Sequence, residues 1–407
     1  MYTLAIYFYM LAVILASPFH KKARMLVKGH WNTFRILRKQ IRRGEKYVWF
    51  HAASLGEFEQ GRPLMERLRS EHPEYKILLT FFSPSGYEVR KDYSGADVVC
   101  YLPFDTPGNV HSFFRLVHPC MAFFIKYEFW QNFLKACRRR NIPVYSVSSI
   151  FRDDQVFFRW YGKGYAKVLR CITHFFVQNE TSKKLLATRG ITAATVVGDT
   201  RFDRVIDICR QARPLPLIET FKGGHTVFVA GSSWAPDEDL FIPYFNTHPE
   251  LKLIIAPHVI SEGHLAEIEA KLTRPVLRYS CATPENVRSA DCLIIDCFGL
   301  LSSIYRYGEV AYVGGGFGVG IHNVPEAAVY GVPVLIGPNN KNFREAQDLL
   351  SCGGCFEVTD MLSFNQVADR LLTDEKARRE SGAVAGQYIE RNAGAVDTVF
   401  RAVDFSC

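Results

Sequence analysis

The sequence predicts an α/β protein with two doubly wound, Rossmann-like domains. Short apolar runs alternate with helix-like segments along most of the chain, which is typical of βα units that form a parallel sheet. The alternation pauses once, at the proline- and glycine-containing stretch 214–224, and then resumes. The 407 residues suit two domains of ordinary size.

The predicted strands form one series on each side of this stretch. The first series comprises residues 47–50, 76–82, 98–102, 121–125, 144–147, 175–178 and 195–198, and the second comprises 226–230, 252–256, 292–295, 310–313 and 332–336. The predicted domains are 21–210 and 222–385, followed by a last helix within 386–407 that could pack back on the first domain. We expect substrates at the carboxyl ends of the strands, in a cleft between the two domains.

The N-terminal segment, residues 1–20, is mostly apolar and is followed at once by basic residues. Because a signal peptide carries its positive charge before the apolar run, this order predicts a membrane-associating segment instead. It would span the bilayer or lie in it, with the basic flank on the cytoplasmic side. The alternative is a buried N-terminal helix.

The basic residues that follow are unusually dense. Ten Lys or Arg residues and a single acid, Glu45, lie between positions 21 and 46 of a chain whose net charge is +8. Such a patch favours an anionic partner, which would be a membrane surface, a nucleic acid or a phosphorylated substrate.

Cysteine usage indicates a reducing compartment and no metal centre. The 11 cysteines are odd in number and stand in apolar surroundings, which favours buried thiols over a disulfide framework. Cys352 and Cys355 form one CxxC pair with no second pair or nearby histidine pair, so we predict no zinc site.

Glu57 is the first candidate for chemistry. Residues 51–57 follow a predicted strand and precede a helix, with Gly56 expected to let the backbone bend tightly. A carboxylate at that helix N-terminus is stabilised as the anion, which suits a general base. The alternative is that Glu57 is an ordinary glutamate in a first helical turn. On the evidence of residues 51–57 alone, this alternative is favoured.

A glycine cluster at 314–320 is the second candidate site. It follows a strand and precedes a predicted helix within 321–331, with Asn323 at or near the N-cap and Pro325 in the first turn. Gly315 and Gly316 would leave backbone N–H groups free for phosphate, and Glu326 would accept hydrogen bonds from ribose hydroxyls. The cluster is neither a Walker loop nor a clear dinucleotide fingerprint. It is better matched by the nucleotide-sugar site of a two-domain glycosyltransferase.

Five motifs together make the resemblance specific. Residues 51–57, 101–105, 128–132, 198–203 and 320–326 occur in an order that resembles the 3-deoxy-D-manno-octulosonic acid (Kdo) transferases of lipopolysaccharide synthesis. The likeness covers nearly the whole chain. It implies a GT-B fold and inverting transfer of Kdo from CMP-Kdo to a tetraacyl lipid A precursor (lipid IVA). It further implies work at the cytoplasmic face of the inner membrane, with no metal or other cofactor and no nucleic-acid partner.

The resemblance also assigns catalytic roles in the first domain. Glu57 would be the base that deprotonates the acceptor hydroxyl, and Glu128 and Arg201 would stabilise the transition state. Relatives often carry Lys in place of Arg201, which changes the geometry of the cation but keeps its charge. Relatives often carry Pro in place of Gln131.

For the nucleotide, the resemblance points to three loops of the second domain. Two serines after a strand are expected to add hydrogen bonds to phosphate or carboxylate, and for His258 the alternative is an ordinary loop histidine. The predicted donor-binding residues are Pro257, His258, Phe298, Gly299, Leu300, Asn323, Val324, Pro325, Glu326, Ser232, Ser233, Gly315 and Gly316.

Two other classes remain open at this stage. One is a different GT-B nucleotide-sugar enzyme, either a UDP-sugar transferase or an epimerase. The other is a non-catalytic GT-B protein that binds lipid. Selective stabilisation by CMP would distinguish the first class, and the effect of changing Glu57 would test the second.

Overall fold

The computed structural model describes residues 2–406, which divide into two compact units. The first unit contains the residues up to 204 together with those from 393 onwards, and the second unit contains residues 205–392. Each unit is built around its own seven-stranded, wholly parallel sheet. The predicted α/β class with two doubly wound sheets is confirmed.

The first unit has the strand order β3-β2-β1-β4-β5-β6-β7. Its strands are β1 Tyr47–Ala52, β2 Lys76–Phe81, β3 Val98–Tyr101, β4 Pro119–Ile125, β5 Val144–Ser149, β6 His174–Val177 and β7 Ala194–Val196. Its helices are α1 Tyr2–Ala16, α2 Lys21–Gln40, α3 Leu55–Glu71, α4 Pro84–Arg90, α5 Pro107–Leu116, α6 Gln131–Arg139, α7 Lys163–Ala166, α8 Glu180–Ala187 and α18 Ala395–Ala402. The winding direction reverses between β1 and β4, so the loops that follow these two strands lie at the switch point where such sheets bind ligands.

The second unit repeats this plan with the order β10-β11-β9-β8-β12-β13-β14. Its strands are β8 Thr226–Ser233, β9 Leu251–Pro257, β10 Val276–Arg278, β11 Cys292–Ile294, β12 Val310–Val313, β13 Val334–Ile336 and β14 Cys355–Glu357. Its helices are α10 Pro216–Lys222, α11 Ala235–Thr247, α12 Glu262–Lys271, α13 Leu301–Ile304, α14 Pro325–Ala328, α15 Arg344–Cys352, α16 Met361–Thr373 and α17 Glu375–Asn392, while α9 Thr200–Gln211 begins in the first unit and ends in the second. Here the switch point lies between β8 and β12. The edge strands β10 and β14 were not predicted, and the stretch taken for a linker contains α10.

The central strands are buried on both faces, which is why they read as continuous apolar runs. All six residues of β1 and all seven of β9 are buried, as expected for parallel sheets covered by helices on both sides. Helix α18 contributes to one of these layers, since Val396 and Val399 pack with Phe123 of β4.

Helix α1 packs on the first unit along one side only. The Tyr2 hydroxyl donates to Asp105 at 2.7 Å, and the Tyr9 ring packs against Phe104. Large apolar side chains at helical spacing remain exposed on α1, namely Leu4, Phe8, Leu11 and Leu15. Within residues 2–406, no helix combines the length and apolar composition needed to cross a bilayer.

Helix α2 carries much of the dense basic segment. Its buried residues Val27, Thr33 and Leu37 face the sheet, and the Thr33 hydroxyl donates to the Tyr101 carbonyl at 2.9 Å. The lysines and arginines of α2 are exposed. The helix therefore presents a positively charged outer face.

Candidate active site

Glu57 and Glu128 lie where β1 and β4 end, on neighbouring strands of the first sheet. Glu57 is the third residue of α3 and is only 7% exposed. Its carboxylate accepts hydrogen bonds from the backbone N–H groups of Ala53 and Ser54, which satisfies donors at the helix start. The predicted position of Glu57 at a helix N-terminus is confirmed. Gly56 does not form a bend, because it lies in the first turn of α3 without a positive φ.

Burial raises the pKa of both carboxyl groups. The pKa of Glu57 lies above its ordinary value of 4.5, chiefly through desolvation. The pKa of Glu128 rises to about 8, first through desolvation and then through the nearby charge of Glu57. Because neighbouring carboxylates resist ionising together and the pKa of Glu128 is about 8, Glu128 is mainly protonated at neutral pH. Glu57 is the better anion, since backbone N–H groups point at its carboxylate.

Lys126 is a member of this site that the sequence analysis did not identify. Its charge lowers the pKa of Glu57 and of Glu128, although less than burial raises them. It has a left-handed backbone with φ 59°, and its carbonyl accepts hydrogen bonds from the hydroxyls of Ser146 and Ser149. A non-glycine residue held in this conformation is a frequent mark of a functional site.

Replacing Glu128 with Gln should raise stability increasingly with pH. A carboxyl group with a raised folded pKa loses stability as the pH rises from the unfolded value near 4.5 to the folded value of about 8. We therefore expect the Glu128→Gln unfolding midpoint to exceed that of wild type by a margin that grows across this window and then levels off. Glu59→Gln, which removes a partly exposed carboxylate from α3, is the control. A margin independent of pH would contradict the raised pKa.

Buried His51 connects two of the recognised motifs, residues 51–57 and 128–132, through a hydrogen bond. Burial lowers the pKa of His51 to about 3, so its ring is neutral. The Trp130 indole N–H donates to His51 Nε2 at 3.0 Å, and Nδ1 then carries the proton and faces Thr80. This hydrogen bond joins β1 to the loop that carries Glu128. Gln131 is the first residue of α6, a position where a Pro would also fit.

Arg201 is held by a buried aspartate. Asp199 Oδ2 accepts hydrogen bonds from Arg201 Nε at 3.0 Å and Nη2 at 2.9 Å. The same carboxylate accepts from Gln60 at 2.9 Å and from Gln178 at 3.3 Å. Although burial opposes the charge, the Arg201 guanidinium holds the pKa of Asp199 below its usual 3.8. Since Gln60 lies one helical turn beyond Glu57, Asp199 ties Arg201 to the helix of the proposed base.

The glycine cluster of the second unit is required by packing. A Cβ on Gly316 would meet Gly337 backbone atoms at 2.6–2.8 Å, and one on Gly314 would meet the Ser232 carbonyl at 2.4 Å. Gly315 has φ 93° and donates its N–H to Asp237 at 2.9 Å. The close backbone contacts of Gly314 and Gly316 and the hydrogen bond from the Gly315 N–H are therefore all made within the protein. The phosphate contacts of Gly315 and Gly316 stay a prediction.

Substitution by Ala should destabilise the protein at some of these glycines and not at others. We expect Gly316→Ala to cost about 2 kcal/mol of unfolding free energy, because the new Cβ displaces packed backbone. Gly318→Ala should cost little, since nothing lies within 4 Å of its Cβ position. Chemical denaturation of the two variants tests this. Equal unfolding free energies of the two variants would show that the loop can shift to accept the extra methyl group.

The two serines at the end of β8 differ from each other in burial. Strand β8 runs through Ser233, whose side chain is wholly buried and donates to Glu238 at 2.9 Å. Ser233 was expected to bind phosphate or carboxylate, but its hydroxyl is already used inside the protein. Ser232 is partly exposed and has φ 54°, so it remains available.

The loop before α14 also differs in detail. The helix is only four residues long, and its N-cap is Val324 rather than Asn323. Pro325 occupies the first turn as predicted. Val324 is fully buried, so its side chain packs in the core. Glu326 accepts hydrogen bonds from Ser302 at 2.9 Å and from Asn323 at 2.7 Å.

Three ring systems join the loops of the second unit. The His258 ring stacks between Trp234 and His322, with centroids 4.7 and 4.3 Å away. The Trp234 indole N–H donates to His322 Nε2 at 3.1 Å. Sequence reasoning missed Trp234 and His322, although each stands directly beside a predicted site residue or within a recognised motif. His258, which follows buried Pro257, is exposed at the end of β9.

The remaining predicted loop follows β11. Phe298 is 82% exposed, Gly299 has φ 93°, and Leu300 is the N-cap residue of α13. The hydrogen bond from Ser302 connects this loop to Glu326. No group of three or more His, Cys, Asp or Glu side chains within residues 2–406 is arranged to bind a metal ion.

Comparisons with known proteins agree with this picture. Residues 29–204 match the family model described as 3-Deoxy-D-manno-octulosonic-acid transferase (kdotransferase). A 3-deoxy-D-manno-octulosonic acid transferase of Aquifex aeolicus is 26% identical over 355 residues, covering 84% of this chain and 92% of its own. One of Bordetella pertussis is 26% identical over 379 residues, covering 88% and 86%.

Solved structures show a similar fold. The UDP-GlcNAc 2-epimerase of Neisseria meningitidis, solved with UDP-GlcNAc, has a TM-score of 0.60 at 13% identity, covering 87% of this chain and 98% of its own. MurG of Acinetobacter baumannii has a TM-score of 0.55 at 11% identity, covering 88% and 99%. At these identities they show the two-domain fold alone. The more specific likeness comes from the family match and from the relatives that align with most of the chain. Residues 29–204 therefore carry the domain that the 3-deoxy-D-manno-octulosonic acid (Kdo) transferase family model describes, and most of the chain is similar to Kdo transferases.

Proposed function

We propose that this protein transfers Kdo from CMP-Kdo to a hydroxyl of a tetraacyl lipid A precursor in lipopolysaccharide core biosynthesis, with inversion. The observation that carries the proposal is the buried Glu57–Glu128 pair beside Lys126 at the switch point of the first sheet. A buried carboxylate of such a pair can act as the base that an acceptor hydroxyl needs. No other nucleotide sugar has equal support, because relatives that align with 84% and 88% of the chain are named Kdo transferases.

The proposed reaction is a single displacement. Glu57 removes the acceptor proton as the hydroxyl oxygen forms a bond to the anomeric carbon of Kdo. The bond from that carbon to the phosphate oxygen breaks on the opposite face, and its electron pair leaves with CMP. One displacement inverts the anomeric centre. Glu128 retains its proton near neutral pH and can donate a hydrogen bond, while Arg201 stabilises negative charge on the departing phosphate or the Kdo carboxylate.

We assign CMP to the second unit, without a metal ion. The supporting features are the exposed Phe298 ring, the exposed His258 ring in its stack, and the Glu326 carboxylate held by Ser302. An aromatic ring free in solvent offers a stacking surface for a base. A carboxylate with fixed orientation suits ribose hydroxyls.

We further propose that the enzyme works on the cytoplasmic face of the inner membrane. The exposed apolar residues of α1 would enter the interface, and the basic outer face of α2 would attract lipid phosphates. Helix α1 would then lie in the membrane surface, with the acceptor lipid supplied from the same leaflet.

Nucleotide-dependent stabilisation tests the donor. A ligand that binds only the folded state raises its stability by mass action, so CMP should raise the unfolding midpoint and UDP should not. Phe298→Ala should reduce the CMP effect without changing the midpoint of the free protein. Leu362→Ala is the control, because Leu362 is another largely exposed apolar residue of the same unit. Stabilisation by UDP alone would favour a UDP-sugar enzyme and contradict the proposal.

A further inference from the structure

A large basic cavity lies on the first unit, and neither Glu57 nor Glu128 lines it. It encloses about 1020 Å³ between α5, α6 and the 3₁₀ turn Lys167–Cys171. That volume matches pockets that hold whole small molecules rather than a single inorganic ion. Its lining includes five cations, namely Lys135, Arg138, Arg139, Arg140 and Lys167.

The five cations are not neutralised by the protein. Within residues 2–406 none of them forms an ion pair with a carboxylate, and Lys135 influences the buried Asp105 only at longer range. Arg140 is held over the Phe114 ring at 4.7 Å. Unpaired cations placed around one concave surface create a positive potential that attracts anions.

The cavity adjoins the apolar helix α1. Asn132, which lines the cavity, donates to the Thr3 hydroxyl at 3.3 Å. The Tyr2 ring of α1 stacks on Tyr165 of α7 at 5.6 Å. An apolar helix therefore begins at the rim of a positively charged cavity. This arrangement suits an amphiphile with an anionic headgroup.

A second basic cavity and two exposed aromatic rings extend this surface. The smaller cavity encloses about 350 Å³, shares Lys167 with the first and adds Lys163, Arg170 and Arg189. Trp160 and Tyr161 lie three and two residues before Lys163 and are 81% and 63% exposed. Tryptophan and tyrosine flanked by cations are typical of surfaces that sit at the headgroup level of a bilayer.

We propose that this basic cavity is a binding site for the phosphate headgroups of anionic membrane lipids. Lys135, Arg138, Arg139, Arg140 and Lys167 contact the phosphates, while α1 and Trp160 enter the apolar part of the interface. The site is distinct from the α2 face and from the sugar-transfer chemistry. It extends the proposed membrane association but would remain if the transferase activity were assigned wrongly.

Vesicle flotation of the full chain tests the site. Wild type should bind vesicles of phosphatidylcholine with phosphatidic acid more strongly than vesicles of phosphatidylcholine alone. Arg138→Gln with Arg139→Gln should weaken binding to the anionic vesicles about thirtyfold, because each basic residue near an anionic surface contributes about a factor of five. Lys183→Gln with Lys184→Gln removes the same charge from exposed α8 residues that line neither cavity. This control should change binding much less.

Three outcomes would overturn the proposal. If both double variants lose the same amount of vesicle binding, the attraction depends on the net charge of the protein and not on this cavity. Displacement of wild type from vesicles by inorganic phosphate at constant ionic strength would indicate a site for free phosphate. Tighter binding to an oligonucleotide than to the anionic vesicles would indicate a nucleic-acid surface. Equal unfolding midpoints of the variants and wild type would establish that the comparison is between folded proteins.

Discussion

Glu57→Gln should lower Kdo transfer by roughly 100- to 10,000-fold, the range that a general base typically contributes. The substitution removes the proton acceptor but keeps an oxygen that can accept the backbone N–H of Ala53, as the carboxylate does. The start of α3 should therefore survive, and CMP should still raise the unfolding midpoint. Initial rates under saturating donor and acceptor measure the effect.

Glu59→Gln is the matched control, because it makes the same change two residues along α3. Glu59 is partly exposed and pairs with Arg90 at 2.9 Å. This variant should retain nearly full activity. Full activity of Glu57→Gln, with Glu59→Gln also active, would remove Glu57 from the reaction and support a non-catalytic protein.

Asp199→Asn should have the second largest effect, on both activity and stability. The substitution takes the charge from a carboxylate that holds Arg201 through two side-chain hydrogen bonds. We expect a loss of about 3 kcal/mol, since hydrogen bonds to buried charged groups are strong and costly to break. Because the folded pKa of Asp199 is lowered, this stabilisation is present above the unfolded pKa and disappears as the pH falls through the folded value.

A double-mutant cycle separates positioning from general damage. If Asp199 acts by orienting Arg201, then Asp199→Asn should lower kcat strongly in wild type and much less in an Arg201→Ala background. Lys at position 201 should recover part of the activity, because it keeps the positive charge although it loses the geometry of the guanidinium. Independent, multiplicative losses in kcat would show that Asp199 serves the fold rather than Arg201.

The central strands and the position of Glu57 could be predicted because both depend on local sequence. A strand buried on both faces is a continuous apolar run, and β1, β4 and β9 have that form. The helix after β1 then fixes Glu57 at its N-terminus. The edge strands β10 and β14 could not be predicted, since each has three residues and pairs with one neighbour only.

Other features depend on contacts between distant parts of the chain. Ser233 comes shortly after an apolar run and a glycine, which is where a phosphate-binding serine is expected. In the structure its hydroxyl instead donates a hydrogen bond to Glu238. Lys126 enters the site because two serines of β5 hold its carbonyl. His322 could have been suspected from its motif, yet its stacking on His258 arises only in the folded unit. Sequence patterns report backbone class well and side-chain partners poorly.

The glycine cluster shows a related limit. Its pattern predicted a close approach to the backbone, and Gly314 and Gly316 do make such approaches. The atoms approached are those of Ser232 and Gly337, not only those of a ligand. A steric requirement for glycine therefore does not by itself identify what binds there.

Transfer of Kdo to a tetraacyl lipid A precursor, followed by mass spectrometry of the lipid, tests the central claim most directly. CMP-Kdo must be generated in the assay and supplied with the full chain. We predict a lipid heavier by one or more Kdo residues, and the mass would count the residues added. An unchanged lipid, from folded protein that CMP stabilises, would contradict the proposed acceptor and the function assigned to this chain.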